Sequence, residues 1–188
     1  MVLDIGVWCR MPEPHLSENW LEKQMQGEGT LIAAGLDDMH AFHEKYPHVR
    51  CVQADGCALP FDARTVDMTI ANAVLEHVPR GLQHRFVEEL ARVARSCAVL
   101  SVPDRLCPIE VHSRLLFVHW VPFWRHLLRR FGAPFWADEN NLSSIFSRKN
   151  LGALLDQASP HRDKWKIRRQ WFLFVPVSLI AELHRTGA

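Results

Sequence analysis

The chain has 188 residues, 48% hydrophobic and 23% charged, with a formal net charge of +1. This fits one globular domain that buries roughly 70% of its unfolded surface, and the balanced charge argues against nucleic acid as a partner. Five cysteines with no CxxC spacing argue against a disulfide framework or a structural zinc, and no secretory leader or membrane-length apolar run is present, so a cytoplasmic setting is expected.

Val2-Leu3-Asp4-Ile5-Gly6 reads as a short buried strand that ends at a glycine. A helix is expected near Ser17 to Met25. Thr30 to Leu36 is a second strand, closed by Asp37-Asp38, and a helix carrying Met39 and Phe42 follows and stops before Pro47. Val49 to Ala54 is a third strand, ending at Asp55-Gly56. Val66 to Ala71 is a fourth, delivering Asn72 and then Glu76-His77. Leu82 to Arg95 is the clearest helix, with Leu82, Phe86, Leu90 and Val93 on one face. Cys97 to Val102 is a fifth strand. Later, a helix runs from Phe123 to Arg130 and Ser147 caps another. Lys166–Phe174 and Val177–Leu183 are strand candidates, with Pro176 read as the turn of a hairpin that adds an antiparallel edge. Strands alternating with helices imply right-handed crossovers and a parallel sheet, with ligands at its carboxyl edge.

Three successive strands carry acids at or near their ends: Asp4, Asp37-Asp38 and Asp55. Each alone reads as a turn or cap residue. In series they suit a nucleoside: a carboxylate after the second strand accepts both ribose hydroxyls, and one after the third meets an adenine amino group.

The pieces VLDIG (2–6), AAGLDD (33–38), VQADGCALPF (52–61), VDMTIANAVLEHV (66–78), ELARVARSCAVLSVPDR (89–105) and IEVHSRLLFVHWVP (109–122) together resemble a class I S-adenosylmethionine-dependent methyltransferase of the type 11 group. The resemblance implies an α/β, Rossmann-like, doubly wound, mostly parallel seven-stranded sheet with an antiparallel C-terminal strand. It implies S-adenosyl-L-methionine as cofactor, with Asp4 and Gly6 near the methionine moiety, Asp37 or Asp38 on the ribose, Asp55 and Gly56 at the adenine, and Asn72 beside the methyl group. One domain is expected over 1–188, with 107–150 as an acceptor-side or lid insertion, and as a departure from the family the usual N-terminal lid helix is expected to be absent. The glycine-rich first loop of the family is replaced here. Trp8 and Arg10 stand where glycines are expected, and Asp37 follows Asp4 by 33 positions instead of roughly 20. A bacterial subgroup is similar in this loop, including Glu18-Asn19-Trp20-Leu21-Glu22-Lys23.

An oxygen acceptor needs a base, and His77 with Glu76 is the catalytic candidate; the plainer alternative is that both brace the loop after the fourth strand. Glu110, His112 and Arg114 are candidates for an acceptor pocket. No metal is expected, since neither Cys107 with Glu110 and His112 nor His40 with His43 and His48 has a recognised ligand spacing. Trp124, Leu127, Leu128 and Phe131 share a helical face among arginines, so residues 120–136 suit packing on the sheet, a lid over a small-molecule or lipid-linked acceptor, or peripheral contact with an inner membrane surface. The competing readings are a catalytically inactive binding module, motivated by Trp8 and Arg10, and a nicotinamide enzyme, which the absence of GxGxxG disfavours.

Overall fold

The computed structural model describes residues 1–9, 19–25, 27, 29–159 and 164–185. Seven strands form one sheet: β1 (Val2–Ile5), β2 (Leu31–Gly35), β3 (Arg50–Gln53), β4 (Val66–Asn72), β5 (Ala94–Pro103), β6 (Trp165–Phe172) and β7 (Val175–His184). Their order across the sheet is β3-β2-β1-β4-β5-β7-β6. The first five pair in parallel, and β7 runs antiparallel to both β5 and β6. The expected fold class is the one observed.

Helices α1 (Trp20–Gln24), α2 (His40–Lys45), α3 (Gln83–Val93), α4 (Trp124–Arg130), α5 (Pro134–Ala137) and α6 (Arg148–Ala158) complete the elements used below. β2 is apolar throughout and buried along its whole length, as expected of an interior strand with both faces covered. On one face of the sheet, Leu3 and Ile5 pack with Phe86, Leu90 and Leu151 of α3 and α6. On the other, Leu31 and Ala33 meet Met39, Phe42 and Tyr46 around α2. The alternation of side chains along β1 is what splits Leu3 and Ile5 from Asp4.

Several expected boundaries move. The helix read as Leu82 to Arg95 ends at Val93, and β5 starts at Ala94 without a loop. The two terminal strands are not joined at Pro176. The turn is Leu173-Phe174, with Leu173 at φ 55°, and Pro176 lies inside β7 opposite Trp171. The ladder shifts register between Gln170 and Trp171, and a proline lacking an N–H is tolerated at such an irregularity. The antiparallel strand is also not the sheet's edge. β7 inserts between β5 and β6, so that β6 becomes the edge. Ser147 does cap α6, its hydroxyl accepting from the backbone N–H of Asn150 at 3.2 Å. Of the expected helix near Ser17 to Met25, α1 is the part seen, and residues 10–18 lie outside the described residues. On α4, Leu128 is buried, but Phe131 is exposed, so the expected apolar face is covered only in part.

Candidate functional site

The parallel register aligns the strand ends. Ile5 pairs with Ala34, and Gly35 pairs with Gln53. Beyond the strands, the backbone N–H of Gly6 donates to Ala34 O at 2.8 Å and that of Ala54 to Gly35 O at 2.8 Å. Gly6, Asp37 and Asp55 therefore leave the sheet along one carboxyl edge. Asn72 closes the row at the end of β4, its Oδ1 accepting from the Ser101 hydroxyl.

Gly6 cannot be another residue. Its φ is 84°, and a Cβ there would lie 2.5 Å from Val74 Cγ2. A Cβ on Gly56 would lie 2.5 Å from the Phe86 ring, so this glycine lets α3 approach closely.

The acids divide by environment. Asp37 and Asp38 are exposed after β2, and Asp38 Oδ1 accepts from the backbone N–H of His40 at 3.0 Å as α2 begins. Asp55 is exposed and its Oδ1 accepts from the backbone N–H of Cys57 at 2.8 Å. Asp38 and Asp55 thus do the turn work that aspartate favours while remaining at the edge. Asp4 differs: it is half-buried, its carboxyl set against that of Glu22 on α1. Burial, then the Glu22 charge, pushes the Asp4 pKa well above the ordinary carboxylate range.

The replacement loop after β1 has its own support. Asn19, at φ 51°, accepts from the Trp8 N–H through Oδ1 at 2.9 Å and donates from Nδ2 to Trp8 O at 2.8 Å. The next residue, Cys9, is buried against Gly35.

Beyond β4 and β5 lies a shallow recess, open to solvent and lined by Glu76, Asp104, Ile109, Glu110, His112 and His119 among others. Glu76 is 1% exposed, and neither of its carboxylate oxygens has a hydrogen-bond partner. Burial raises its pKa to about 7. The segment is pinned through backbone: Ser143 and Ser144 N–H groups donate to Glu76 O at 2.8 and 3.2 Å, and Gln83 Nε2 donates to Leu75 O and Val78 O at 3.2 and 3.1 Å. His77 Nδ1 sits 2.5 Å from Asn141 O, so that nitrogen carries the proton and Nε2 the lone pair of the neutral ring. Burial lowers the His77 pKa. His112 Nδ1 lies 2.8 Å from Glu110 Oε1, and Ser113 N–H donates to Glu110 Oε2 at 2.6 Å. Burial works to raise the Glu110 pKa, but the hydrogen bonds from His112 and Ser113 outweigh it and hold it at about 2. The His77 and His112 rings meet edge to face at 5.0 Å, and Trp136 packs 4.7 Å from His112.

Glu76, His77, Glu110 and His112 are thus brought together, although 32 residues (78–109) lie between the two pairs in sequence. Arg114 is not with them: it is exposed, at φ 60°, and does not line the recess. Reasoning from sequence missed His119. It is buried, with Nε2 2.9 Å from Arg105 O and Nδ1 unpartnered. It also missed Gln83 and Asn19. Their amides resemble surface polar groups in sequence, and only their distant partners reveal their work.

A family described as "Methyltransferase domain" matches residues 28–102. Residues 28–102 are therefore similar to a methyltransferase domain, and the strand order of the sheet is that of the class I methyltransferase fold. S-adenosylmethionine is the cofactor of the relatives the chain resembles. A probable S-adenosylmethionine-dependent methyltransferase of Mycobacterium tuberculosis is 36% identical over 80 residues, which are 40% of this chain and 28% of that protein. The match to that curated relative therefore spans less than a third of its length. A SAM-dependent methyltransferase of Aquifex aeolicus has a similar structure (TM-score 0.56, 16% identity, 97% of this chain and 80% of that one). So has the magnesium protoporphyrin IX methyltransferase of Synechocystis with bound SAH (TM-score 0.54, 15% identity, 98% and 74%). At such identities these two structures share the fold. The methyltransferase order of strands is what places the acids of β2 and β3 on the same edge as Gly6.

Proposed function

We propose that the chain transfers a methyl group from S-adenosylmethionine to a small-molecule or lipid-linked acceptor. The observation that carries this reading is the row Gly6, Asp37, Asp55 and Asn72 along one sheet edge, next to a recess lined by Glu76, Glu110 and His112. The residues suit the cofactor at its nucleoside end: exposed carboxylates follow β2 and β3, and Gly6 turns the backbone away where a side chain would clash. When bound, S-adenosylmethionine supplies a methyl group already activated on a sulfonium.

The protein's task is then positional, and holding an acceptor in line with the methyl group can lower the barrier by several kcal/mol. Asp37, with Asp38 beside it, holds the ribose. Asp55 and Gly56 flank the adenine, Asp4 and Gly6 support the methionine side, and Asn72 stands nearest the methyl. Glu110 fixes His112 at the acceptor side. His77, oriented by its Nδ1 contact to Asn141, takes a proton at Nε2 when the acceptor atom is oxygen. Arg114, outside the recess, meets only the distal part of a larger acceptor. Residues 107–150 cover this side within a single domain. Trp120, Phe123, Phe131 and Phe135 are exposed there, which suits a lipid-linked acceptor and peripheral membrane contact. Among the described residues no helix is long and apolar enough to cross a membrane.

The test is transfer of radiolabelled methyl from the cofactor to aqueous and to lipid extracts, each fractionated afterwards. Label in either fraction supports the reading and names the acceptor class. A second reading, a non-catalytic module, is favoured by Trp8 standing where the resemblance leads one to expect glycine. Cofactor binding without transfer to either extract would support it.

A further inference from the structure

Glu76 presents a physical problem that the methyl-transfer reading leaves open. Its side chain is 1% exposed, and both carboxylate oxygens lack a hydrogen-bond partner. A polar group taken out of water without compensation is costly, and folded chains rarely leave one so. A ligand-type atom from each of Glu76, His77 and His112 lies within 4.8 Å of the others.

The two imidazoles are prepared in the same way. His77 Nδ1 faces Asn141 O at 2.5 Å, and His112 Nδ1 faces Glu110 Oε1 at 2.8 Å. A backbone carbonyl or a carboxylate on one ring nitrogen is what orients metal-binding histidines and leaves the other nitrogen as ligand. Two imidazoles and one carboxylate with open positions is a donor set for first-row transition cations. Calcium and magnesium prefer all-oxygen sites.

We propose that Glu76, His77 and His112 form a binding site for a divalent first-row transition cation, oriented by Glu110 and Asn141. The cation answers the unpartnered carboxylate oxygens of Glu76 and adjoins the recess, where an open coordination position can take an acceptor oxygen and favour its deprotonation. The proposal does not depend on methyl transfer. It makes a different demand on His77, whose Nε2 would bind the cation instead of a proton. The ligand atoms lie up to 4.8 Å apart, against ~3.3 Å between ligands in a tetrahedral zinc site, so the side chains close by rotation as the cation enters.

The experiment uses the full chain freed of metal by EDTA dialysis. It is titrated with Co²⁺, Zn²⁺ and Mn²⁺ by calorimetry, and Co²⁺ is followed by its visible absorption. One equivalent of Co²⁺ per chain is expected. Glu76→Gln and His112→Gln should each weaken it by more than about 100-fold, beyond the ~10–100-fold loss expected of the orienting variant Glu110→Gln. Circular dichroism checks each fold, and His112→Gln, at the rim of the recess, serves if Glu76→Gln fails to fold. No stoichiometric binding by the unmutated chain overturns the proposal, as does binding that His112→Gln leaves unchanged. A parallel titration with SAH separates the two accounts, since SAH binding without cation binding removes the cation site alone.

Discussion

Asn19 grips the backbone of Trp8 from both sides, accepting its N–H at 2.9 Å and donating to its carbonyl at 2.8 Å. The pair does for this first loop what repeated glycines do elsewhere, since it sets a backbone course that glycine would otherwise allow. Asn19→Gly keeps the left-handed φ of 51° accessible and removes only the grip. Two neutral hydrogen bonds are worth about 1–3 kcal/mol together. Urea denaturation should show a loss of that size, with weaker SAH binding. Unchanged stability and affinity would show that the loop is held elsewhere.

Asp37 and Asp38 are neighbours with different expected effects. Asp37→Ala should weaken SAH binding at least about tenfold, the equivalent of one charge-assisted hydrogen bond to a ribose hydroxyl. Asp38→Ala removes the contact to the His40 N–H and should cost about 0.5–1 kcal/mol of stability, with a smaller effect on affinity. Calorimetry on both variants reads the contrast. A reversed order would move the ribose contact to Asp38.

The half-buried Asp4 gives stability a dependence on pH. Its pKa is raised in the folded state by burial first and the Glu22 charge second. The native chain therefore keeps a proton that the unfolded chain releases above about pH 3.9. The stabilisation is complete below that pH and declines as pH rises through the folded pKa. Asp4→Asn should flatten the fall in unfolding free energy between mildly acidic and alkaline pH. Identical slopes for the two proteins would refute the shift.

Arg169 on β6 donates from Nε to Asp104, whose side chain is fully buried at the end of β5. Asp104 Oδ1 also accepts from the Leu106 N–H at 2.9 Å, so the carboxylate ties the recess wall to the inserted strands. Arg169→Met leaves a buried carboxylate unpaired and should cost about 3 kcal/mol, measured by chemical denaturation. Adding Asp104→Asn should recover part of that loss. A cost under about 1 kcal/mol would mean that solvent already screens the pair.

Much of this architecture is legible in sequence, because buried parallel strands write apolar runs whose ends mark the ligand edge. Asp37, Asp55 and Asn72 sit where their strand ends predict. Adjacency across the sheet is harder to read. Nothing local tells that β7 enters between β5 and β6, or that Pro176 continues a strand instead of turning it. The recess is hidden for the same reason: Glu76 and His112 belong to separate loops, and the spacing that would announce a metal site within one segment is absent. Arg114 was two residues from His112 and yet points the chain elsewhere, because its left-handed φ carries the backbone around. Asp4 is the opposite case. Its motif suggests an exposed ligand contact, while strand alternation turns it beneath the sheet towards Glu22.

Isothermal titration of the unmutated chain with SAH tests the central claim most directly. Saturable one-to-one binding is expected despite the replaced first loop. An absence of heat and of thermal stabilisation at millimolar SAH would contradict it.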